Sequence, residues 1–350
     1  MNLENKEAGS GGGFELQDAE LQSKLRSAGK EIIWRIGQKI LSGNFNLTSI
    51  AFPIRCCAKY SLLQAISNMT RVFPYYLNAA AYTEDPLERM KLIVTSFIAL
   101  LQASDTFDKP LNPILGETYS WYLPDGTIVY FEQTSHHPPI AHLHIKGPEE
   151  IYELSMYSGY SANGYLNSVK VNVFGSKWIK FKDGSKVTVS NFDGQILNIL
   201  FGSMTRQIIG TQTYEDETNQ LKSEITTGTV SGKEQDYFTG TITKNGEELS
   251  QIYGNYNGFI EIDGERYWDI REHNSFDLIP SCGLSILPSD SRKRIDIIAL
   301  ETEDENSTLP QENKEKLEND QRYDAALRKK AQAAREKDEK VKFLTKDMLI

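Results

Sequence analysis

Between Thr118 and Arg271 the chain carries seven Asp-Gly or Asn-Gly pairs, at Asp125, Asn163, Asp183, Asp193, Asn245, Asn257 and Asp263. Such pairs accept the positive φ angles of tight turns and are the strongest short-range hairpin signal. Between them hydrophobicity alternates residue by residue, as in Thr127 to Gln133, Lys170 to Val173 and Lys186 to Val189. That is the period of a half-buried strand. No helical pattern separates these strands, which disfavours a parallel sheet. A long antiparallel meander has to hide its edges, and closing into a barrel hides them. A barrel of about eight strands is filled by its own side chains, and a larger one is hollow. The candidate strands here exceed that number. An interior cavity follows if the sheet closes as one piece; a split into two packed sheets removes it.

Helical patterns flank this region. Leu21, Leu25, Ala28, Ile32, Ile36 and Ile40 recur at steps of three or four, with Gly29 and Gly37 as interruptions that permit hinging. The alternatives there are a surface helix packed on a core and a mobile apolar flap. Ser61 to Leu77 reads as helical until Pro74 disturbs it. Asp85-Pro86 is an N-cap followed by proline at the first helical position, and Leu87, Met90, Ile93, Val94, Phe97 and Leu101 then form one apolar face. Pro310 opens a last helix in a stretch of mixed charge. The fold class is therefore α+β, mainly β: a large near-closed antiparallel barrel with a hydrophobic tunnel, N-terminal helices and a C-terminal helical segment. The boundaries are a flexible tail over 1–13 and one domain over 14–350. Within it lie an N-terminal helix over 14–41, a helical region over 42–117, the barrel over 118–272 and the C-terminal segment over 273–350.

At 350 residues and 39% hydrophobic content the chain can bury a large core. A net charge of -10 speaks against nucleic acid as partner, so an anion site has to be a local basic cluster. Cys56, Cys57 and Cys282 form no paired framework, which points to a reducing compartment. The polar, Gly-rich start is no signal peptide, and no run reaches the ~20 apolar residues of a membrane span. The expected location is cytoplasmic, with any membrane visited rather than crossed.

Ionisable groups concentrate in Glu132-Gln133-Thr134-Ser135-His136-His137-Pro138-Pro139. Proline stiffens itself and the residue before it, which holds the imidazoles in place. A rigid His pair can bind a metal, shuttle a proton or hydrogen-bond an anion. A metal wants three or four ligands. His142 and His144 are near in sequence, but no Cys or carboxylate set completes a site. Ser135 lacks a nucleophile elbow, and there is no phosphate-binding Gly loop, zincin motif or calcium loop. No catalytic residue, cofactor or metal is expected, and the chain reads as a binder rather than an enzyme.

The octapeptide resembles the signature of the oxysterol-binding-protein-related (OSBP/ORP/Osh) lipid-transfer family, with Thr134 where valine is usual. Three further stretches follow the family's order. Lys109-Pro110-Leu111-Asn112-Pro113-Ile114-Leu115-Gly116-Glu117 resembles its Lys-Pro-Phe-Asn-Pro-Leu-Leu-Gly-Glu motif. Leu287 to Glu301 is similar to another, with Ile295 in place of a proline. Lys314, Glu318 and Arg322 match a Lys-x-x-Leu-Glu-x-x-Gln-Arg run, though alone their i, i+4, i+8 spacing reads as a salt-bridge ladder. The resemblance spans about Pro86 to Ala331. It implies a phosphoinositide headgroup site made of Lys109, Asn112, His136, His137, Lys314, Glu318 and Arg322, and an N-terminal lid over the tunnel.

What the resemblance implies is a short-form lipid-transfer protein with only the lipid-binding domain. It would hold one lipid at a time, phosphatidylinositol 4-phosphate or a sterol or other lipid, and exchange them between membranes at contact sites. Its partners would be membrane lipids met by transient peripheral association with organelle membranes, with no nucleic acid, and the protein would be a monomer. The alternatives are a phosphoinositide-modifying hydrolase using His136 as acid or base, and a lipid-gated scaffold that does not shuttle.

Overall fold

A computed structural model of the chain describes residues 7–36, 45–46, 53–54, 57–104, 107, 109–272, 279–280, 286–303 and 307–337. Contacts group the chain into two compact units, Met1–Arg292 and Lys293–Ile350, dividing inside the span that the sequence treats as one domain.

In the first unit, short strands β1 (Glu7–Ala8) and β2 (Phe14–Glu15) precede helix α1 (Ala19–Ile36). Asp18 caps that helix, its Oδ1 accepting from the backbone N–H of Glu20 and of Leu21, both at 3.0 Å. The helix runs unbroken through Gly29, expected to interrupt it. A side chain there would stand 3.4 Å from Leu200 and 3.5 Å from Ile199, so this glycine serves packing rather than bending. Gly37 and Ile40 lie outside the described residues. After β3 (Phe45–Asn46) and β4 (Cys57–Ser61) come α2 (Leu62–Met69), α3 (Phe73–Tyr82) and α4 (Pro86–Ala99). The break between α2 and α3 is a tight turn over Thr70–Val72. Pro74 therefore opens α3 instead of ending α2, because a residue of the first turn needs no N–H partner. Asp85 caps α4 as its sequence predicts, accepting from Leu87 N at 2.9 Å.

The rest of the unit is strands: β5 (Lys109–Leu111), β6 (Thr118–Tyr122), β7 (Ile128–His136), β8 (Pro139–Lys146), β9 (Tyr152–Gly164), β10 (Ser168–Phe181), β11 (Lys186–Val189), β12 (Asp193–Leu197), β13 (Thr205–Ile209), β14 (Thr211–Asp216), β15 (Leu221–Thr227), β16 (Tyr237–Lys244), β17 (Glu247–Asn255), β18 (Phe259–Ile262), β19 (Glu265–Asp269) and β20 (Ile279–Pro280). Among the described residues 18 of the 20 form one sheet; β4 and β5 pair separately and parallel. The long antiparallel pair β9–β10 is its spine, in register from Tyr152↔Phe181 to Gly164↔Val169. One end of β10 pairs with β11, which leads through β14 to β19; the other pairs with β12, then β13 and β2. Beyond β9 come β8, β7 and β6. Among the described residues no ladder joins β19 to β6. Helices connect those two sides instead: α4 packs on β15, β18 and β19, and α2 on β6 and β7. The barrel is near-closed, as its sequence predicts.

Five of the seven Gly-containing pairs mark turns between consecutive strands, with Asn245-Gly246 and Asp263-Gly264 both at the paired positive φ of the favoured two-residue hairpin. Two do not. Asn163-Gly164 ends β9, and Asp193-Gly194 begins β12, where the Asp193 carboxylate accepts from Val173 N at 3.0 Å. The pair there serves side-chain bonding across strands rather than reversal of the chain.

The apolar cluster between sheet and helices contains Leu77, Met90, Ile93 and Ile98 from the helices with Ile225, Phe238, Ile242, Ile260 and Trp268 from the sheet. Full burial of each such side chain contributes roughly 1.5–3 kcal/mol. Among the described residues the second unit holds α5 (Ile295–Thr302) and α6 (Leu309–Lys337), with a buried Arg294–Asp296 ion pair of 2.7 Å at the start of α5. Ile295 is the first residue of α5, a position that proline tolerates, so the family's proline and this isoleucine suit the same backbone. Among the described residues no helix is long and apolar enough to cross a membrane.

Candidate functional site

A cavity of about 880 Å³ lies within the first unit. Its walls follow from strand alternation. Val169, Val171 and Val173 of β10 point into it, as do Met156 and Ala162 of β9 and Ile196 of β12. Phe97 and Leu101 close it on the helical side, and Leu25, Ala28 and Ile32 of α1 form another wall. Gly175 lets β10 pass close to β9: its φ is +133°, and a Cβ would lie 2.0 Å from Tyr157 O.

Four residues that sequence singles out share this cavity: Lys109, Asn112, His136 and His137. The imidazoles sit at the turn of the β7–β8 hairpin, centroids 4.5 Å apart and 62° between planes, before a cis His137–Pro138 bond. Lys109 Nζ donates to Asn112 Oδ1 at 2.9 Å and to Pro110 O at 3.3 Å. Backbone bonds hold this loop against β7: Gly116 N donates to Gln133 O at 2.8 Å, and Gln133 N donates to Glu117 O at 2.9 Å. The side chain of Glu117 is buried, accepting from Ile114 N at 3.0 Å and from Ser291 Oγ at 2.6 Å. The segment around Arg292 thus supports the loop. Arg292 itself pairs with Asp290 at 2.7 Å, donates to Ser120 O at 3.1 Å and lies over Tyr119.

Lys314, Glu318 and Arg322 fall on one face of α6, in the second unit. Glu318 accepts from Lys314 Nζ at 2.5 Å and from Arg322 at 3.3 Å, the ladder that their spacing predicts. The seven residues thus form two sets, four around the cavity of the first unit and three along a helix of the second. His142 stacks on Tyr157 at 5.6 Å and His144 lies 3.4 Å from Glu153. Among the described residues no group of three or more His, Cys, Asp or Glu is placed to hold a metal.

Sequence reading passed over one cavity residue of chemical interest. Lys177 lines the tunnel, and burial pushes its ammonium down to about 8. The signal was in the phase: Lys177 shares its parity with Val169, Val171, Val173 and Ile179. The only described polar contact of its Nζ is Ser190 O, at 3.3 Å, and Phe97 offers a ring face 5.5 Å away.

The chain matches the oxysterol-binding protein family profile over residues 33–348. It is 33% identical over 222 residues to oxysterol-binding protein 9 of Dictyostelium discoideum, covering 63% of this chain and 51% of that one. It is 30% identical over 265 residues to oxysterol-binding protein homolog 7 of Saccharomyces cerevisiae, covering 71% and 58%. The chain thus spans little more than half the length of these relatives. Among solved structures, the Osh3 ORD of Saccharomyces cerevisiae in complex with PI(4)P aligns with TM-score 0.67 at 24% identity over 81% of each chain. The Osh1 ORD domain in complex with cholesterol aligns with TM-score 0.72 at 19% identity over 90% of each. These two share the fold. With a family match across most of its length, this chain belongs to the oxysterol-binding protein family.

Proposed function

We propose that this chain is a lipid carrier that encloses one lipid at a time and exchanges phosphatidylinositol 4-phosphate for a sterol or another lipid between membranes. The observation that carries the reading is that Lys109, Asn112, His136 and His137 all border one apolar-walled cavity. Each methylene enclosed there is worth about 0.8 kcal/mol, enough in sum to replace bilayer contacts. A phosphorylated headgroup cannot be buried unpaired and belongs on the cation and imidazoles, where charge-assisted hydrogen bonds hold it. Lys314, Glu318 and Arg322 take the same role on the strength of their motif alone. The relatives solved with PI(4)P and with cholesterol support both ligand classes. Helix α1, which forms part of the wall, acts as the lid. The reading requires no covalent chemistry and only transient contact with membrane surfaces.

Transfer between liposomes tests it. His136→Ala combined with His137→Ala abolishes extraction of phosphatidylinositol 4-phosphate and largely spares sterol pickup, because only the phosphate needs the imidazoles. Equal loss of both lipids in a folded variant overturns the two binding modes, and a wild-type chain that moves neither lipid overturns the carrier.

A further inference from the structure

Elsewhere this chain gives a buried cation a carboxylate. Arg89, 6% exposed, pairs with Asp183 at 2.6 Å and donates to Ser185 Oγ, Ala80 O and Thr83 O. Arg294, 7% exposed, pairs with Asp296. Lys177, half-buried on the cavity wall, is treated differently. Among the described residues no carboxylate lies within ion-pair distance of it, and Ser190 O takes one of its three donors.

Its place in the tunnel is specific. Lys177 pairs in register with Met156 of β9 and Val189 of β11. The next inward residue along β10, Ile179, is fully buried, so Lys177 stands where the hollow ends and the packed core begins. Gln212 borders the same cavity; its Nε2 donates to Ser190 O at 2.9 Å and its Oε1 accepts from Tyr214 at 2.6 Å. An ammonium held there costs free energy until an anion meets it.

We infer that the inner end of the tunnel is a carboxylate-reading site built on Lys177, and that this chain takes an apolar ligand ending in a carboxylate, such as a long-chain fatty acid, with that group innermost. A hydroxyl would accept one hydrogen bond and leave the charge uncompensated. A phosphate would bring more negative charge than one ammonium balances. A carboxylate cancels the charge and accepts the remaining donors. The inference rests on the reading of the cavity as a lipid carrier.

The experiment compares oleic acid with oleyl alcohol, each radiolabelled and presented on neutral vesicles to the full chain at about pH 7. The wild type favours the acid. Lys177→Met and Lys177→Gln each lose about tenfold in affinity for the acid and keep affinity for the alcohol, the size expected for one charge-assisted contact. Melting curves establish that both variants fold. Unchanged acid affinity in both folded variants overturns the site. So does a preference that persists in them and vanishes in His136→Ala with His137→Ala, which would put the carboxylate on the histidines. Wild-type binding of the alcohol without preference for the acid defeats this inference alone. Binding of neither ligand defeats the carrier reading with it.

Discussion

The two ends of strand β10 face the same interior and meet different things. Val169, Val171 and Val173 look into empty space and stay half-buried, whereas Ile179 and Phe181, further along the same face, are packed and closed off. The difference comes from the helices. Where α3 and α4 press on the sheet, Leu77, Ile93 and Ile98 fill the space between them. Toward β12 and β13 the same face borders the cavity, with α1 on its far side. Alternation specifies which face is apolar; the partner across the gap decides whether that face carries stability or binds a ligand.

Substitutions on the two sides separate these roles. The largest effect belongs to the packed side: Ile260→Ala leaves a cavity in a filled core and costs about 2–5 kcal/mol in denaturant unfolding. A cost near zero would mean that the two regions are equally loose. At the boundary, Lys177→Met removes a half-buried charge held away from water and stabilises the protein by about 1–3 kcal/mol at neutral pH. The sign with pH follows from linkage. An unfolded lysine titrates near 10.5 and Lys177 near 8, so between those values the unfolded chain holds a proton that the folded one has released. Stability of the wild type therefore rises across that window, and its deficit against the variant, full below about pH 8, vanishes by about pH 10.5. A deficit independent of pH would trace it to packing rather than charge. The smallest effect belongs to the hollow side, where Val171→Ala costs less than about 1 kcal/mol, because the side chain borders the cavity and is only half-buried. A cost like that at Ile260 would show the wall to be under load.

Much of this was legible beforehand. The meander and the cap at Asp85 rest on local signals, turn residues and capping chemistry that survive folding, whereas the grouping of Lys109 and Asn112 with the two histidines followed only from the resemblance of short motifs to a family. What could not be read depended on distant partners. Asp193-Gly194 has the composition of a turn, yet the Asp193 carboxylate is engaged by Val173 N from another strand. Pro74 disrupts a helix interior and is harmless in a first turn, and only the break at Thr70–Val72 decides which applies. Lys177 carried a phase signal, but its meaning required knowing that this stretch of β10 borders a hollow rather than solvent.

Among the described residues the sides of the barrel at β19 and β6 are connected through α2 and α4 and not through a shared ladder. A seam of that kind behaves as a sliding joint. Greasy side chains can shift past one another by a fraction of an ångström without breaking backbone hydrogen bonds, which a sealed ring of strands cannot do. A bore bounded in that way can change width, which the carrier proposed above would need in order to grip a rigid fused-ring plate and a pair of loose chains in one sleeve.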